Sequence, residues 1–247
     1  MSHLILRASK GFTNLHIGKS VRDIYSVAFE FIIILYLIGR LYPFAVGGKK
    51  GLSKILVTGS RNNCDFGNGF YLGETYNQAL SFVFENDKSS VYSFRCSLDG
   101  LDICKFDCSM EWMLAICYHR GTLGPYSNSE KIKHIVDKIN TADEIIAPIA
   151  DNKMFYVMAQ FTDGEINADV ALHSLSASKL GFQYIFKTEK ALNKLIPIEK
   201  YYLCAPERDE CKKQLIERSF EIDTKLKLAK RESKTGLYIE EIFDEKL

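Results

Sequence analysis

The sequence predicts an α+β fold. Three observations carry the prediction: short alternating or apolar runs of strand length, segments with apolar residues at helical spacing interleaved among them, and a composition able to build a sizeable core. The chain has 247 residues, 47% of them hydrophobic, 12% aromatic and 26% charged, with only 5 Pro and 16 Gly. That excludes a staple-held mini-protein and a disordered or collagenous chain. Lys and Arg number 32 against 31 Asp and Glu, a formal charge of +1, so no global basic excess marks a nucleic-acid or membrane binder. Seven cysteines, an odd number, and a start (MSHLILRASKG) without the pattern of a signal peptide point to a reducing cytoplasm.

Taken in order, His3–Arg7 alternates as a first strand, closed by the turn Ala8-Ser9-Lys10-Gly11. Residues 21–46 form an apolar segment read as a buried helix ended by Pro43 and Gly47-Gly48; its uninterrupted apolar run between Glu30 and Arg40 is far below the ~20 residues of a membrane span. An interfacial or partner-binding helix is the other reading of it. Lys49, Lys50 and Lys54 follow as a small basic cluster. LSKILVT (52–58) reads as a strand, Asp65 to Gly69 as a glycine-spaced loop and Phe70–Gly73 as a short strand. A helix is expected over Thr75–Asn86, a strand over SVYSFRCSL (90–98), and helices over Met110–His119 and Ser127–Ile139. DEIIAPIAD (143–151) suits a short buried strand stopped by Pro148, and Asp169–Leu180 a helix capped by Asn167. FQYIFKT is a strand, Glu189–Leu195 a short helix and IEKYYLC a closing edge. From Pro206 a charged helix begins whose apolar positions need another surface, so the expected division is 1–205 with an insertion at about 21–46, then 206–247. The last residues read either as an ordered tail or as a segment docking on a partner.

No GxSxG elbow accompanies a histidine in a recognisable setting, and neither a P-loop nor a GxGxxG turn after a strand is present. Cys104, Cys108, Cys117 and His119 lack the paired knuckles of a structural zinc site, so no metal is expected. What remains is Gly67-Asn68-Gly69-Phe70-Tyr71: a loop whose backbone can approach a flat ligand and deliver an aromatic pair at a strand start, or a tight turn with two core aromatics.

The string CDFGNGFYLGETYNQAL, followed by SLDGL, CKFD, EWMLAI, DEIIAPIADNKMF and FQYIFKTEKALNKLIPI, resembles an uncharacterised bacterial family of the ADP-ribosyltransferase superfamily. The resemblance covers Cys64–Ile198 and implies two small packed sheets with flanking helices, holding NAD as co-substrate in a cleft. It assigns Tyr71, with Gly69 and Phe70 beside it, to the nicotinamide. Gln183 falls at the polar third position, Glu in the best-known members but Glu, Asp or Gln across this clade; an amide can hold the ribose hydroxyl but brings no opposing charge to an oxocarbenium-like transition state. Glu189 or Asp151 is a possible supplementary acid. Gln183 also reads simply as an edge-strand amide bonding backbone. For the first signature, Arg7 and Ser9 in Leu6-Arg7-Ala8-Ser9 would hold the diphosphate or ribose and the nicotinamide side; Leu41-Tyr42-Pro43 and Thr58-Gly59-Ser60 are rival alignments.

On that resemblance the expected activity is transfer of ADP-ribose from NAD to RNA, DNA or protein by a cytoplasmic toxin of a toxin–antitoxin or defence system. A companion antitoxin or chaperone-like protein would cover the apolar surface, without a stable membrane span. An NAD glycohydrolase and a catalytically inactive binding module of the same fold are the alternatives.

Overall fold

The computed structural model describes residues 41–48, 52, 55–60, 63–85, 90–176, 180–202, 205–233 and 235–244. The chain divides into two units, Met1–Leu41 with Ser97–Asp99, and Tyr42–Cys96 with Gly100–Leu247. The second contains nearly all described residues. The expected strand His3–Arg7, Arg7 and Ser9 themselves, and the apolar segment up to residue 40 lie outside them.

The architecture is α+β. Strands β1 (Leu41–Gly48), β2 (Phe70–Gly73), β3 (Ser90–Ser97), β4 (Ile103–Lys105), β5 (Glu144–Pro148), β6 (Phe182–Phe186) and β7 (Leu195–Tyr202) hydrogen-bond in the order β4-β5-β6-β2-β1-β3-β7. Two strand groups, β4-β5-β6-β2 and β3-β7, are thus joined through β1. β4 and β5 run parallel, whereas β1 with β2, β2 with β6, β5 with β6 and β3 with β7 are antiparallel. Helices α1 (Tyr76–Ser81), α2 (Met110–His119), α3 (Glu130–Thr141), α4 (Asn152–Thr162), α5 (Ala168–Leu175), α6 (Glu189–Leu192), α7 (Ala205–Glu232) and α8 (Ile239–Phe243) fill the connections.

Most helices start where a side chain can accept from the first turn's free N–H groups. Ser109, Ser129, Asn167 and Thr188 each accept from the backbone three residues on, Asp151 from Lys153 and Met154, and Thr75 forms a reciprocal capping box with Gln78. One apolar core gathers Trp112 and Ile116 of α2, Ile132, Ile135 and Ile139 of α3, Met158 and Phe161 of α4, and Ile145 and Ile185 of the sheet.

Two expectations need correction. The helical segment expected to continue to Val46 is a strand from Leu41, paired through Ala45 to Gly73 of β2; Pro43 has no N–H and holds the residue before it extended, which suits a strand end and breaks a helix. The strand expected over 52–58 is not one among its described residues: Leu56 is extended, but Val57–Gly59 is a 3-10 turn.

The helix from Ala205 is not a separate appendage. Its Ile222, Leu226 and Ala229, with Ile239 of α8, belong to the same core as Trp112. Lys153–Asp223 (2.5 Å), Lys230 Nζ to Gln160 Oε1 (2.9 Å) and Asn167 Nδ2 to the Ser233 carbonyl (3.2 Å) fasten it along α4 and α5. The tail then docks back, with Phe243 stacked on Tyr126 at 4.7 Å.

Candidate functional site

Directly opposed residues of antiparallel strands share a face of the sheet. The register Tyr71↔Ile185↔Ile145 and Gly73↔Gln183↔Ala147 therefore puts Tyr71 and Gln183 on one face of neighbouring strands, on a diagonal. Phe70 falls on the other face, opposite Phe186, and packs edge-on against Phe94 at 5.9 Å. The expected aromatic pair is thereby split: strand alternation sends Tyr71 to one side and Phe70 to the other, so Phe70 does not line a site with Tyr71.

The loop before β2 is held at several points. Gly67, at φ +71°, takes the left-handed conformation that closes its N–H onto the Cys64 carbonyl at 3.2 Å. The Tyr71 hydroxyl accepts from Phe66 N at 3.1 Å and donates to the Gly67 carbonyl at 2.7 Å. Burial holds this phenol well above its ordinary range, partly opposed by the Phe66 N–H. Lys187 Nζ donates to the Phe66 carbonyl at 2.8 Å. Gly69 donates to Ser60 Oγ at 3.3 Å, and a Cβ on it would stand 2.4 Å from Ile185 Cγ2. Gly69 is small so that the chain can pass Ile185; a ligand is not what its missing side chain admits.

Gln183 is 8% exposed. Its amide nitrogen donates to Asp65 Oδ2 and to the Pro148 carbonyl, both at 3.1 Å, and that same carbonyl takes the Trp112 indole N–H at 3.1 Å. Asp65, also buried, accepts from Arg120 Nε at 2.9 Å and Nη2 at 2.5 Å, while the guanidinium lies 4.7 Å over the Phe155 ring. The acid beside Gln183 is therefore Asp65. Asp151, one of the two carboxylates considered for that place, is occupied capping α4, and Glu189 sits exposed at the start of α6.

His119 ends α2 against the same loop. Its Nε2 is buried without a hydrogen-bond partner, and burial, reinforced by the nearby Lys187 charge, lowers its pKa to about 4. The imidazole is neutral at ordinary pH. Among the described residues no three His, Cys, Asp or Glu side chains converge as metal ligands, Cys104, Cys108, Cys117 and His119 included.

The set Asp65, Arg120, His119, Lys187, Tyr71 and Gln183 is a polar patch sealed into an apolar wall. It can orient a hydroxyl or amide through Gln183, hold a planar group near Tyr71 and receive negative charge at Lys187. Sequence reasoning reached Tyr71 and Gln183 but passed over Asp65, which stands inside the CDFG string, and over Arg120 and Lys187. Both follow directly on an element end, Arg120 on α2 and Lys187 on β6, where a side chain is free to turn across the sheet edge. Ser60 of the rival first-signature alignment reaches this loop through Gly69.

Residues 46–196 match the family described as Protein of unknown function (DUF3990). The chain belongs to that family. The DUF3990 match includes Tyr71, Gln183 and the partners just described, and leaves Arg7, Ser9 and all of α7 outside. No curated protein and no solved structure matches the chain. No helix among the described residues is long and apolar enough to cross a membrane.

Proposed function

We propose that this DUF3990 protein is an NAD-dependent ADP-ribosyltransferase whose site is built on Tyr71 and Gln183. The observation that carries the reading is their register: an aromatic and a polar amide on one face of adjacent antiparallel strands, with Gln183 tied to a buried carboxylate. In the proposed reaction Tyr71 lies against the nicotinamide, Gln183 orients the ribose, and Asp65 supplies the negative charge that an amide lacks, tempered by Arg120. The C1′–nicotinamide bond breaks, nicotinamide leaves with the bonding pair, and an acceptor nucleophile on RNA, DNA or protein takes C1′ and loses a proton. Holding donor and acceptor together favours transfer over hydrolysis. Arg7 and Ser9 are the proposed first-signature residues. A toxin role, silenced by a companion protein, extends the same reading; exposed Ile216 and Phe220 on α7 offer such a companion apolar contact.

A second reading, a binding module without chemistry, is favoured by one feature: the Tyr71 hydroxyl and the Gln183 amide are both satisfied by the protein itself. Adenylate-labelled NAD incubated with the intact chain and a lysate separates them. Label that appears on a macromolecule, disappears with nuclease or protease, and is absent with Tyr71→Ala and Gln183→Ala supports transfer. Free ADP-ribose matching nicotinamide marks a glycohydrolase, and no turnover with retained NAD binding marks the module.

A further inference from the structure

Helix α7 carries a second apolar face besides the one it buries. Ile222, Leu226 and Ala229 turn into the core, whereas Ile216 is 63% and Phe220 73% exposed. At about 100° per residue, Asp209, Lys213, Ile216, Phe220 and Lys227 fall within about 40° of one direction, turned away from the core positions. All five are exposed. The stripe is complementary to itself. Arg218 is the midpoint both of Ile216 and Phe220 and of Asp209 and Lys227. A second α7 laid antiparallel across that level therefore brings Ile216 of each copy onto Phe220 of the other, and Asp209 of each onto Lys227 of the other. Lys213 comes level with Asp223 of the second copy, an acid that Lys153 also holds within its own chain. The helix ends agree with this direction: the first turn carries Glu207 and the last carries Lys230 and Arg231. Antiparallel packing sets those opposite charges side by side, where parallel packing would set like ones together.

We propose that α7 is the face through which two copies of this chain associate, packed antiparallel about a two-fold axis at the level of Arg218. A two-fold interface uses the same patch on both copies, so every contact is made twice. Ile216 and Phe220 of the two copies form the apolar centre, and the Asp209–Lys227 pairs close its ends and fix the register. The patch is short, so the association is weak and depends on concentration. It does not rest on the NAD reading, and a companion protein that used Ile216 and Phe220 would compete with the second copy for them.

Sedimentation equilibrium of the intact chain over a range of concentrations at low salt tests this. The expected result is a monomer–dimer equilibrium, weakened at least about tenfold in Phe220→Asp. Asp209→Lys and Lys227→Asp, taken singly, each set two like-charge pairs across the interface and are expected to weaken it at least about threefold. Mixing those two variants restores association, because the mixed dimer again joins opposite charges at both ends. Thermal melting checks that every variant is folded; if Phe220→Asp is not, the charge variants and their mixture carry the test. A wild type that stays monomeric at every concentration overturns the proposal and leaves the face to a companion protein. A dimer unchanged by Phe220→Asp lies on another surface, and a mixture no tighter than either variant alone contradicts the antiparallel register; either result overturns the proposal.

Discussion

Gln183 holds its amide nitrogen between two acceptors, the Asp65 carboxylate and the Pro148 carbonyl. That geometry suits an amide: a glutamate has no proton for either acceptor and would face Asp65 charge to charge. Gln183→Glu is therefore expected to destabilise the fold by about 2–3 kcal/mol despite its equal size, read as a drop in urea midpoint, and wild-type stability would contradict it. Arg120→Met leaves the buried Asp65 carboxylate without its cation and is expected to cost about 3 kcal/mol in the same experiment. Glu144 makes the opposite case. It is 0% exposed with neither oxygen bonded, and burial raises its pKa to about 8. Unfolded, it titrates near ~4.3, so the folded state holds the extra proton between the two values; its contribution is complete below the lower one and is lost as pH rises through the upper. Stability of the wild type should fall from about pH 5 to about pH 8 more steeply than that of Glu144→Gln, and equal slopes would contradict this. Tyr71 stood out in the sequence as an aromatic at a strand start, and Gln183 was singled out only through the family resemblance. Asp65, Arg120 and Lys187 were not, because their meeting depends on three separate segments brought together by β2–β6 pairing and the end of α2.

Among the elements, local chemistry foretold those that carry their own boundary signals. Met110–His119 lies between a serine cap and Arg120, β5 stops at Pro148, and α5 starts after Asn167, all where the sequence indicates. The expected start of α3 was off because Gly124–Asn128 is a 3-10 turn and Ser129 is the cap. α6 ends at Leu192 instead of Leu195, because Leu195 is already paired with Cys96 across β3 and β7. Pairing over long sequence distance overrides local propensity in such places. Asn167 does two jobs, accepting from Val170 N at 2.9 Å and donating to the Ser233 carbonyl at 3.2 Å. Asn167→Ala is expected to cost about 2 kcal/mol, at the upper end for a cap, while Asn167→Asp keeps the cap and loses only the tie to α7. Thermal melts of the two variants check the order.

For the whole molecule, α7 and α8 complete the core. The sequence showed that the charged helix needed a surface, and the surface is the chain's own α4 and α5; the helical spacing of Ile222, Leu226 and Ala229 marks a stripe to be covered but does not say what covers it. Leu226→Ala is expected to destabilise by about 2–5 kcal/mol, the same range expected of Ile135→Ala in the central part of the core. Loss of under about half a kcal/mol, as at a solvated site, would mean that α7 does not pack as described. Asp65 and Gln183 are themselves buried, which keeps the hydrogen bond between them out of water, where it is strongest. The most direct test of the account is nicotinamide release from NAD by the intact wild-type chain, with and without lysate as acceptor source, beside folded Tyr71→Ala and Gln183→Ala. The account predicts release by the wild type and its loss in both variants; no release by the wild type under either condition, or release that both variants retain, would contradict it.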